Sequence, residues 1–302
     1  MRNSMLRGIL PVVLAGLAVV IASGVAMRAH AARQPVTLTF TSFDYPGATS
    51  TSAQAINTAG VIVGQYTDAS MNIHGFAKIG STFTSLSFTG STNTEIWGIN
   101  DSNEVVGIYE DTSSVYHGFS YTVSGGFVTL DFPGGIYTTA LGINNAGEIV
   151  GAWVDSSQEE HGFTLVNGVY TSFDYPGSTL TAAYGINNAG EICGVYSTNP
   201  SDAYGFTLTG GIGGTYTQID PGGSTFTFGY KINDHAQLVG FLVIPDSNKY
   251  WGYAYASGHF ATFVYPGTSM TYAIGINNAK KIVGSYTETG VTHGFLAVPS
   301  AQ

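Results

Sequence analysis

Hydrophobic and polar positions alternate in short runs along the chain, and one such run occurs in six copies. The clearest copy, residues 142–151, reads Gly-Ile-Asn-Asn-Ala-Gly-Glu-Ile-Val-Gly. Every copy contains an Ile-Asn pair, and the isoleucines of these pairs are Ile56, Ile99, Ile143, Ile186, Ile232 and Ile276. The intervals of 43 to 46 residues are typical of one four-stranded propeller blade.

Each repeat divides into four strand-like runs. In the clearest copy the first is 139–144, and a turn ending at Gly147 connects it to the second, 148–154. The second run is apolar on both faces, as expected for a sheet covered on both sides by neighbouring blades. The third begins at His161, and the fourth, 169–174, ends before a Pro-Gly turn.

The order of the strands is offset at the two ends of the chain. The repeat region begins with a lone fourth strand, 36–43, and ends with a third strand, 293–298. Pairing these two segments would complete the last blade and leave no free sheet edge at the join. The sequence therefore predicts an all-β protein, a six-bladed β-propeller of four-stranded antiparallel blades. Its N-terminal strand would pair into the last blade, with residues 32–302 forming one domain.

The N-terminal segment has the pattern of a secretory signal peptide. Arg2 and Arg7 precede an apolar run, 8–27, and Ala29-His30-Ala31 offers a small-x-small cleavage site. We expect residues 1–31 to be removed and the protein to be secreted, extracellular or periplasmic, with no membrane segment in the mature form. The alternative is an uncleaved anchor, because the run is long enough to span a bilayer.

Charge and cysteine content narrow the choice of partners. After residue 31 there are six basic and 19 acidic residues, a formal charge of −13, which argues against nucleic acid as a partner. Cys193 is the only cysteine, so no intramolecular disulfide is possible, and we expect it to be a buried small hydrophobic residue. The mature protein is expected to be a monomer.

The repeat resembles a known family. The sequence Gly-Ile-Asn-Asn-Ala-Gly-Glu-Ile-Val-Gly is followed by His-Gly-Phe at 161–163, and the same tripeptide occurs at 74–76, 117–119 and 293–295. This pattern resembles the bacterial extracellular repeats named for a His-Ala-Phe tripeptide, with Gly in place of Ala. The resemblance implies export and propeller-like repeats, and it brings no assigned activity and no catalytic residue.

The repeated histidines and acids favour structural roles. Equivalent histidines lie in different blades, about 10 Å apart, which is too far for shared zinc ligands. We therefore expect no metal and no cofactor, and one hydrogen bond for each histidine within its blade. The recurring acids, expected to act as turn devices and not as catalytic pairs, are Asp44, Asp131, Asp174 and Asp220.

Two charges interrupt the small residues of the first strands. We place Glu95 of the second repeat at the position of Ala140 in the clearest copy, and Lys231 of the fifth repeat at the position of Gly142. We predict that both residues point into one axial channel and bind a ligand there. The alternatives are strand ends in solvent, or a site on the loop rim that includes 244–250.

The leading functional hypothesis is a non-enzymatic module that binds an extracellular ligand, either carbohydrate or protein. The first alternative is a hydrolase or lyase acting on extracellular carbohydrate, whose catalytic residues the sequence does not identify. The second is a structural protein of the cell envelope.

Overall fold

A computed structural model describes residues 37–300 apart from 223, 225, 246 and 248, so the predicted signal peptide lies outside the described residues. All regular structure in the described chain is β. The first twelve strands are β1 (Leu38–Phe43), β2 (Ser50–Ile56), β3 (Ile62–Thr67), β4 (Ile73–Ile79), β5 (Thr82–Leu86), β6 (Asn93–Ile99), β7 (Val105–Glu110), β8 (Tyr116–Thr122), β9 (Gly126–Leu130), β10 (Tyr137–Ile143), β11 (Ile149–Val154) and β12 (Glu160–Val166). The remaining twelve are β13 (Val169–Phe173), β14 (Leu180–Ile186), β15 (Ile192–Ser197), β16 (Tyr204–Thr209), β17 (Thr215–Ile219), β18 (Thr227–Ile232), β19 (Leu238–Ile244), β20 (Lys249–Ala256), β21 (His259–Phe263), β22 (Met270–Ile276), β23 (Ile282–Glu288) and β24 (Val291–Pro299). Within these described residues, no helix has the length and apolarity needed to cross a membrane.

The strands form six antiparallel units of four, here called units 1 to 6, beginning at β2, β6, β10, β14, β18 and β22. Units join in pairs through short parallel bridges, such as Glu160 to Leu180, which gives three eight-stranded sheets. Unit 6 takes its fourth strand from the start of the chain. Strand β1 pairs with β24 from Leu38 opposite Pro299 to Phe43 opposite Gly294. The predicted pairing of the terminal strands is therefore observed.

The first strand of each unit lies innermost, around a common axis, and carries a bulge. In β10 the pairing register shifts between Ala140 and Gly142. The bulge brings the Thr139 carbonyl oxygen to 1.8 Å from the place where a Cβ on Gly151 would lie. Only glycine fits there, which explains why the repeat ends in Gly. Gly147 closes the preceding turn with a φ of 78°, the left-handed conformation that glycine adopts without strain.

The asparagine of each Ile-Asn pair connects its unit to the next one. Its side-chain Nδ2 donates to the main-chain oxygen of the equivalent asparagine, at 3.0 to 3.3 Å. The six donor-to-acceptor steps, here called the asparagine ring, run from Asn57 to Asn100, Asn144, Asn187, Asn233, Asn277 and back to Asn57. These hydrogen bonds link all six units in a closed circle.

The core lies between units and along the axis. The phenylalanine of each His-Gly-Phe tripeptide is fully buried between its unit and a neighbour, as Phe163 illustrates. Cys193 is also fully buried, in the cluster between units 4 and 5, as predicted. A separate cluster fills the axis and includes Trp97, Leu141 and Tyr184. Because packing lies between units, no unit has a complete core of its own.

Candidate ligand-binding site on the axis

The residues at the bulges point into the axis. Five of them are apolar or aromatic and form what we call the axial cluster: Trp97, Leu141, Tyr184, Tyr230 and Ile274. The sixth, in unit 1, is Gln54. Side chains of the second strands, such as Phe241, pack against the axial cluster. The axis is thus mostly apolar, with one polar side in units 1 and 2.

A cavity of about 90 Å³ opens at the end of the axis that carries the asparagine ring. Lys231 is among its lining residues and is only 8% exposed. The Lys231 Nζ donates to the main-chain oxygens of Leu141, at 2.7 Å, and of Tyr184, at 2.5 Å. Burial lowers the pKa of Lys231 to about 7. The amine therefore connects unit 5 to units 3 and 4 through their backbone.

Glu95 lies further along the axis and is not among the residues that line this cavity. It is 5% exposed, and its Oε2 accepts from the indole Nε1 of Trp97 at 3.1 Å and from Gln65 Nε2 at 3.4 Å. Burial raises the pKa of Glu95 to about 7, and hydrogen bonds from Trp97 and Asn93 oppose the rise. The carboxyl group is thus buried and hydrogen-bonded, without a cationic partner among the described residues.

The structure separates the two predicted ligand-binding residues. Lys231 lines the axial cavity and Glu95 does not, and both side chains are buried with protein partners, so ligand binding by either residue stays a prediction. The comparison of Glu95 with Ala140 was also one residue out of register, because Ile96 is the residue before the bulge in β6. The residues at the same place as Glu95 in the other units are Ser52, Thr139, Ala182, Phe228 and Tyr272.

A chain of polar side chains extends from Glu95 into unit 1. Gln65 Oε1 accepts from Gln54 Nε2 at 2.9 Å, and Gln54 Nε2 also approaches Ser52 Oγ at 3.3 Å. Two buried oxygens of this region have no hydrogen-bond partner among the described residues, Gln54 Oε1 and Asn93 Oδ1. Such atoms are rare in folded proteins, because a buried acceptor without a partner costs free energy.

A second buried glutamate belongs to the same region. Glu160 is 9% exposed, and burial raises its pKa to about 7. Glu160 occupies the place before His161 that Tyr116 occupies before His117 and Tyr250 before Trp251, and Tyr116 and Tyr250 pack against the axial cluster. Burial raises the pKa of Tyr184 as well, and the charges of Glu160 and Glu95 add to that rise. Half-buried side chains that pack against the axial cluster are Tyr116, Phe226, Phe228, Val243, Tyr250 and Tyr272. We call the two glutamates, Asn93, the polar chain and these half-buried residues the axial site.

Sequence reasoning missed most of the axial site. Gln54, Gln65, Asn93 and Glu160 were not candidates, and only Glu95 was. A signal was available, because the residues two and four places before the Ile-Asn isoleucine vary among the repeats. Aligning the copies on that pair would have placed Gln54 and Glu95 at variable positions that face the axis.

The repeated histidines lie on the outer part of the units and pair with acids. His161 donates through Nδ1 to Asp174 at 3.0 Å, and its Nε2 lies 3.8 Å from Asp155. His117 is likewise held between Asp111 and Asp131. His117, His161 and His293 each hydrogen-bond one residue, an aspartate, as expected, whereas His74 hydrogen-bonds both Ser87 and Asp68.

The acids that follow the fourth strands need a matching correction. Asp131, Asp174 and Asp44 pair with histidines, so they are not the turn devices we expected. Asp220 does act in its turn, where it accepts from the backbone of Gly222.

Donor atoms of Asp155, Glu159 and His161 lie within 4.8 Å of one another, the one group within the described part of the chain whose spacing would allow a metal ion. Two of the three residues are partly exposed and Glu159 is exposed. The expected absence of a metal stays a prediction.

No protein-family model and no curated protein matches the chain, so the resemblance to His-Ala-Phe repeats stays a prediction. Solved structures do match. A mutant of the Aleuria aurantia lectin, in complex with Fucα1-6GlcNAc, superposes with a TM-score of 0.51 at 14% identity, over 84% of this chain and 97% of the lectin. That lectin is a six-bladed β-propeller.

Two further solved structures, of a TolB protein and of a sialidase, also match. TolB from Acinetobacter baumannii has a TM-score of 0.53 at 10% identity, over 80% of this chain and 64% of TolB. A Trypanosoma rangeli sialidase has a TM-score of 0.51 at 8% identity, over 81% of this chain and 54% of the sialidase. At such identities the likeness concerns the fold alone. The protein is therefore a repeat protein with a β-propeller type of fold.

Proposed function

We propose that this protein is an exported six-bladed β-propeller that binds carbohydrate at its axial site. The six four-stranded units, the pairing of β1 with β24 and the asparagine ring support one closed ring with six blades. The N-terminal pattern supports export, which is tested by locating the full-length protein after expression and sequencing its mature N-terminus. Cleavage after Ala31 is expected.

The observation that carries the proposal is the division of the axial site into a polar side and an aromatic side. Gln54, Gln65 and Glu95 supply hydrogen-bonding groups, and Tyr250 and Tyr272 contribute ring faces. A sugar ring matches both, because its hydroxyl groups form hydrogen bonds and its C–H face packs on aromatic rings. Rigid ligand sites commonly combine an apolar lining with a few placed polar groups.

The two predicted ligand-binding residues receive different roles. We assign Glu95 to the axial site, because it lies in the polar chain that ends at the unpartnered oxygen of Gln54. We assign Lys231 to holding units 3, 4 and 5 together, because its amine is bound by two backbone oxygens.

The lectin neighbour supports the same ligand class without identifying the sugar. It was solved with Fucα1-6GlcNAc, and at 14% identity no binding residue transfers from it to this chain. The specificity of this protein must therefore be argued from its own residues.

A glycan array probed with the mature protein tests the proposal. Tyr250→Ala removes an aromatic face from the axial site, and Tyr255→Ala, on the same strand β20, removes a half-buried tyrosine that packs on Phe260 outside it. We expect glycan binding by the wild type, loss of that binding in Tyr250→Ala and retention in Tyr255→Ala. Equal binding by both variants would place the sugar elsewhere, and an array without binding would reject the function.

A second candidate, a hydrolase of extracellular carbohydrate, is favoured by one observation. Glu95 and Glu160 are both buried with pKa values of about 7, the range in which a carboxyl group can act as a general acid at neutral pH. An assay for new reducing ends, run on the glycans that bind, tests it. Release that disappears in both Glu95→Gln and Glu160→Gln would support hydrolysis, and no release from any bound glycan would exclude it for those glycans.

A further inference from the structure

The unpartnered oxygens of the axial site reveal which kind of ligand group it lacks. Gln54 Oε1 is fully buried, and Asn93, whose Oδ1 is the second such atom, is 9% exposed. Both atoms are amide oxygens and therefore acceptors. Which end of an amide is the oxygen is assigned from its hydrogen-bond network. The network here fixes that orientation.

Glu95 Oε2 sets the direction of the polar chain. The Trp97 indole can only donate, so this oxygen is an acceptor, and Gln65 turns its Nε2 towards it at 3.4 Å. Gln65 Oε1 then faces Gln54 and accepts from its Nε2 at 2.9 Å. Gln54 Oε1 consequently has no hydrogen-bond donor within reach among the described residues. Asn93 lies beside Glu95, where its side chain lowers the pKa of that carboxyl group, and its Oδ1 is the second buried oxygen without a partner.

The missing groups are therefore hydrogen-bond donors, and the surroundings also lack positive charge. Among the described residues there is no arginine, and all salt bridges of 4 Å or less join a histidine to an aspartate on the outer part of the units. Lys231, the lysine that lines the axial cavity, already donates to the main-chain oxygens of Leu141 and Tyr184. A buried carboxylate without a cationic partner is unfavourable, and a cationic ligand would relieve that cost.

Aromatic rings complete the surroundings. The Trp97 indole, which donates to Glu95, has its ring centre 6.0 Å from that of Tyr184 and 6.4 Å from that of Tyr230. Tyr184 and Tyr230 are nearly perpendicular to each other, with centres 4.9 Å apart. The faces of tryptophan and tyrosine attract cations, and the attraction is strongest where water is excluded.

We propose that the axial site binds the protonated amino group of an amino sugar, through the carboxylates of Glu95 and Glu160 and the unpartnered oxygens of Gln54 and Asn93. An ammonium group is a donor that carries positive charge, so it supplies both features that the site lacks. The sugar part of the proposal rests on the function proposed above.

Three tetrasaccharides with the same β-1,4 linkage isolate the amino group. The tetramers of glucosamine, of N-acetylglucosamine and of glucose differ at C2, where they carry an ammonium group, an acetamide and a hydroxyl. Isothermal titration of the mature protein with each, at a pH where the amine is protonated, measures the preference. We expect the glucosamine tetramer to bind at least about tenfold more tightly than the other two, the usual scale of a charged hydrogen bond.

Isosteric variants test the residues. Glu95→Gln and Glu160→Gln keep the shape and remove the charge, so each should reduce the preference for the glucosamine tetramer by about tenfold while binding of the glucose tetramer changes little. Glu104→Gln, in a turn at the opposite end of the axis, is the matched control and should leave the preference unchanged. Thermal melts of all three variants verify that they are folded.

The outcomes separate the two proposals. Equal affinity for the three tetramers, or a preference that survives both substitutions, overturns the amino-sugar inference and leaves the carbohydrate function standing. Tight binding of n-butylamine without binding of any tetramer overturns the carbohydrate function and the sugar part of the inference together.

Discussion

Replacing one asparagine of the ring tests whether these side chains hold the six units together. Asn187 is 3% exposed. Its Nδ2 donates to the main-chain oxygen of Asn233 in the next unit, at 3.1 Å, and to Glu191 Oε2 at 2.8 Å. Its Oδ1 accepts from the backbone nitrogens of Ala189 at 3.0 Å and Glu191 at 2.9 Å. Asn187→Ala removes all four interactions.

The expected cost follows from these contacts. A hydrogen bond contributes about 1 kcal/mol net, and a buried group that loses its partner costs about 1–3 kcal/mol. The Asn233 oxygen keeps its hydrogen bond from the Ala236 backbone nitrogen, and the turn nitrogens lie closer to solvent, so the cost is mainly that of four lost hydrogen bonds, about 3–5 kcal/mol in total. In a domain of this size each kcal/mol shifts Tm by roughly 2–4 °C, which gives a decrease of roughly 6–20 °C.

Thermal and urea unfolding of Asn187→Ala and Asn188→Ala provides the comparison. Asn188 is the exposed neighbour, with its Nδ2 on Asp234 at 2.8 Å and its Oδ1 accepting from Asn145 at 2.8 Å. Because these bonds exchange readily with water, Asn188→Ala should cost only about 1 kcal/mol. Equal losses in the two variants would show that burial in the ring adds nothing and would refute the reasoning.

Three further predictions concern closure and the buried charges. Deleting residues 32–45 removes β1 and exposes the edge of β24, so the monomer should lose stability or aggregate in size-exclusion chromatography, and an unchanged monomer would contradict closure. The pKa of Lys231 falls from 10.5 to about 7 on folding, so wild-type stability should rise between about pH 7 and 10.5, and Lys231→Met should remove that rise in urea titrations at several pH values. The pKa of Glu95 rises from 4.5 to about 7, so stability should fall as pH increases across that window; Glu95→Gln should reduce the fall, and an identical pH profile would refute the assignment.

The repeat pattern predicted the strands and their connections well, because strand alternation and turn residues are local features. The offset of the terminal strands predicted the pairing of β1 with β24, since an incomplete unit leaves an edge that the spare strand can fill. Glu95 was compared with the wrong residues because it lies four places before the isoleucine of its Ile-Asn pair, whereas Ala140 lies three places before Ile143. Its burial depends on Gln65 and Trp97, and Gln65 belongs to a different unit.

Two features could have been found by comparing the copies more closely. Asp174 follows the fourth strand and His161 begins the third, and antiparallel pairing of Gly162 with Phe173 brings the two side by side. The asparagine ring has a similar origin, because every repeat retains this residue. Its acceptor lies one unit away, however, so the reason for the asparagine appears only when the units are arranged around the axis.

A crystal structure of the mature protein with its tightest-binding glycan tests the central claim most directly. We predict density for the sugar at the axial site, beside Tyr250 and Tyr272, with a donor of the ligand within hydrogen-bonding distance of Gln54 Oε1. A sugar bound only on the outer part of the units, for example beside His161, with no density at the axial site, would contradict the account.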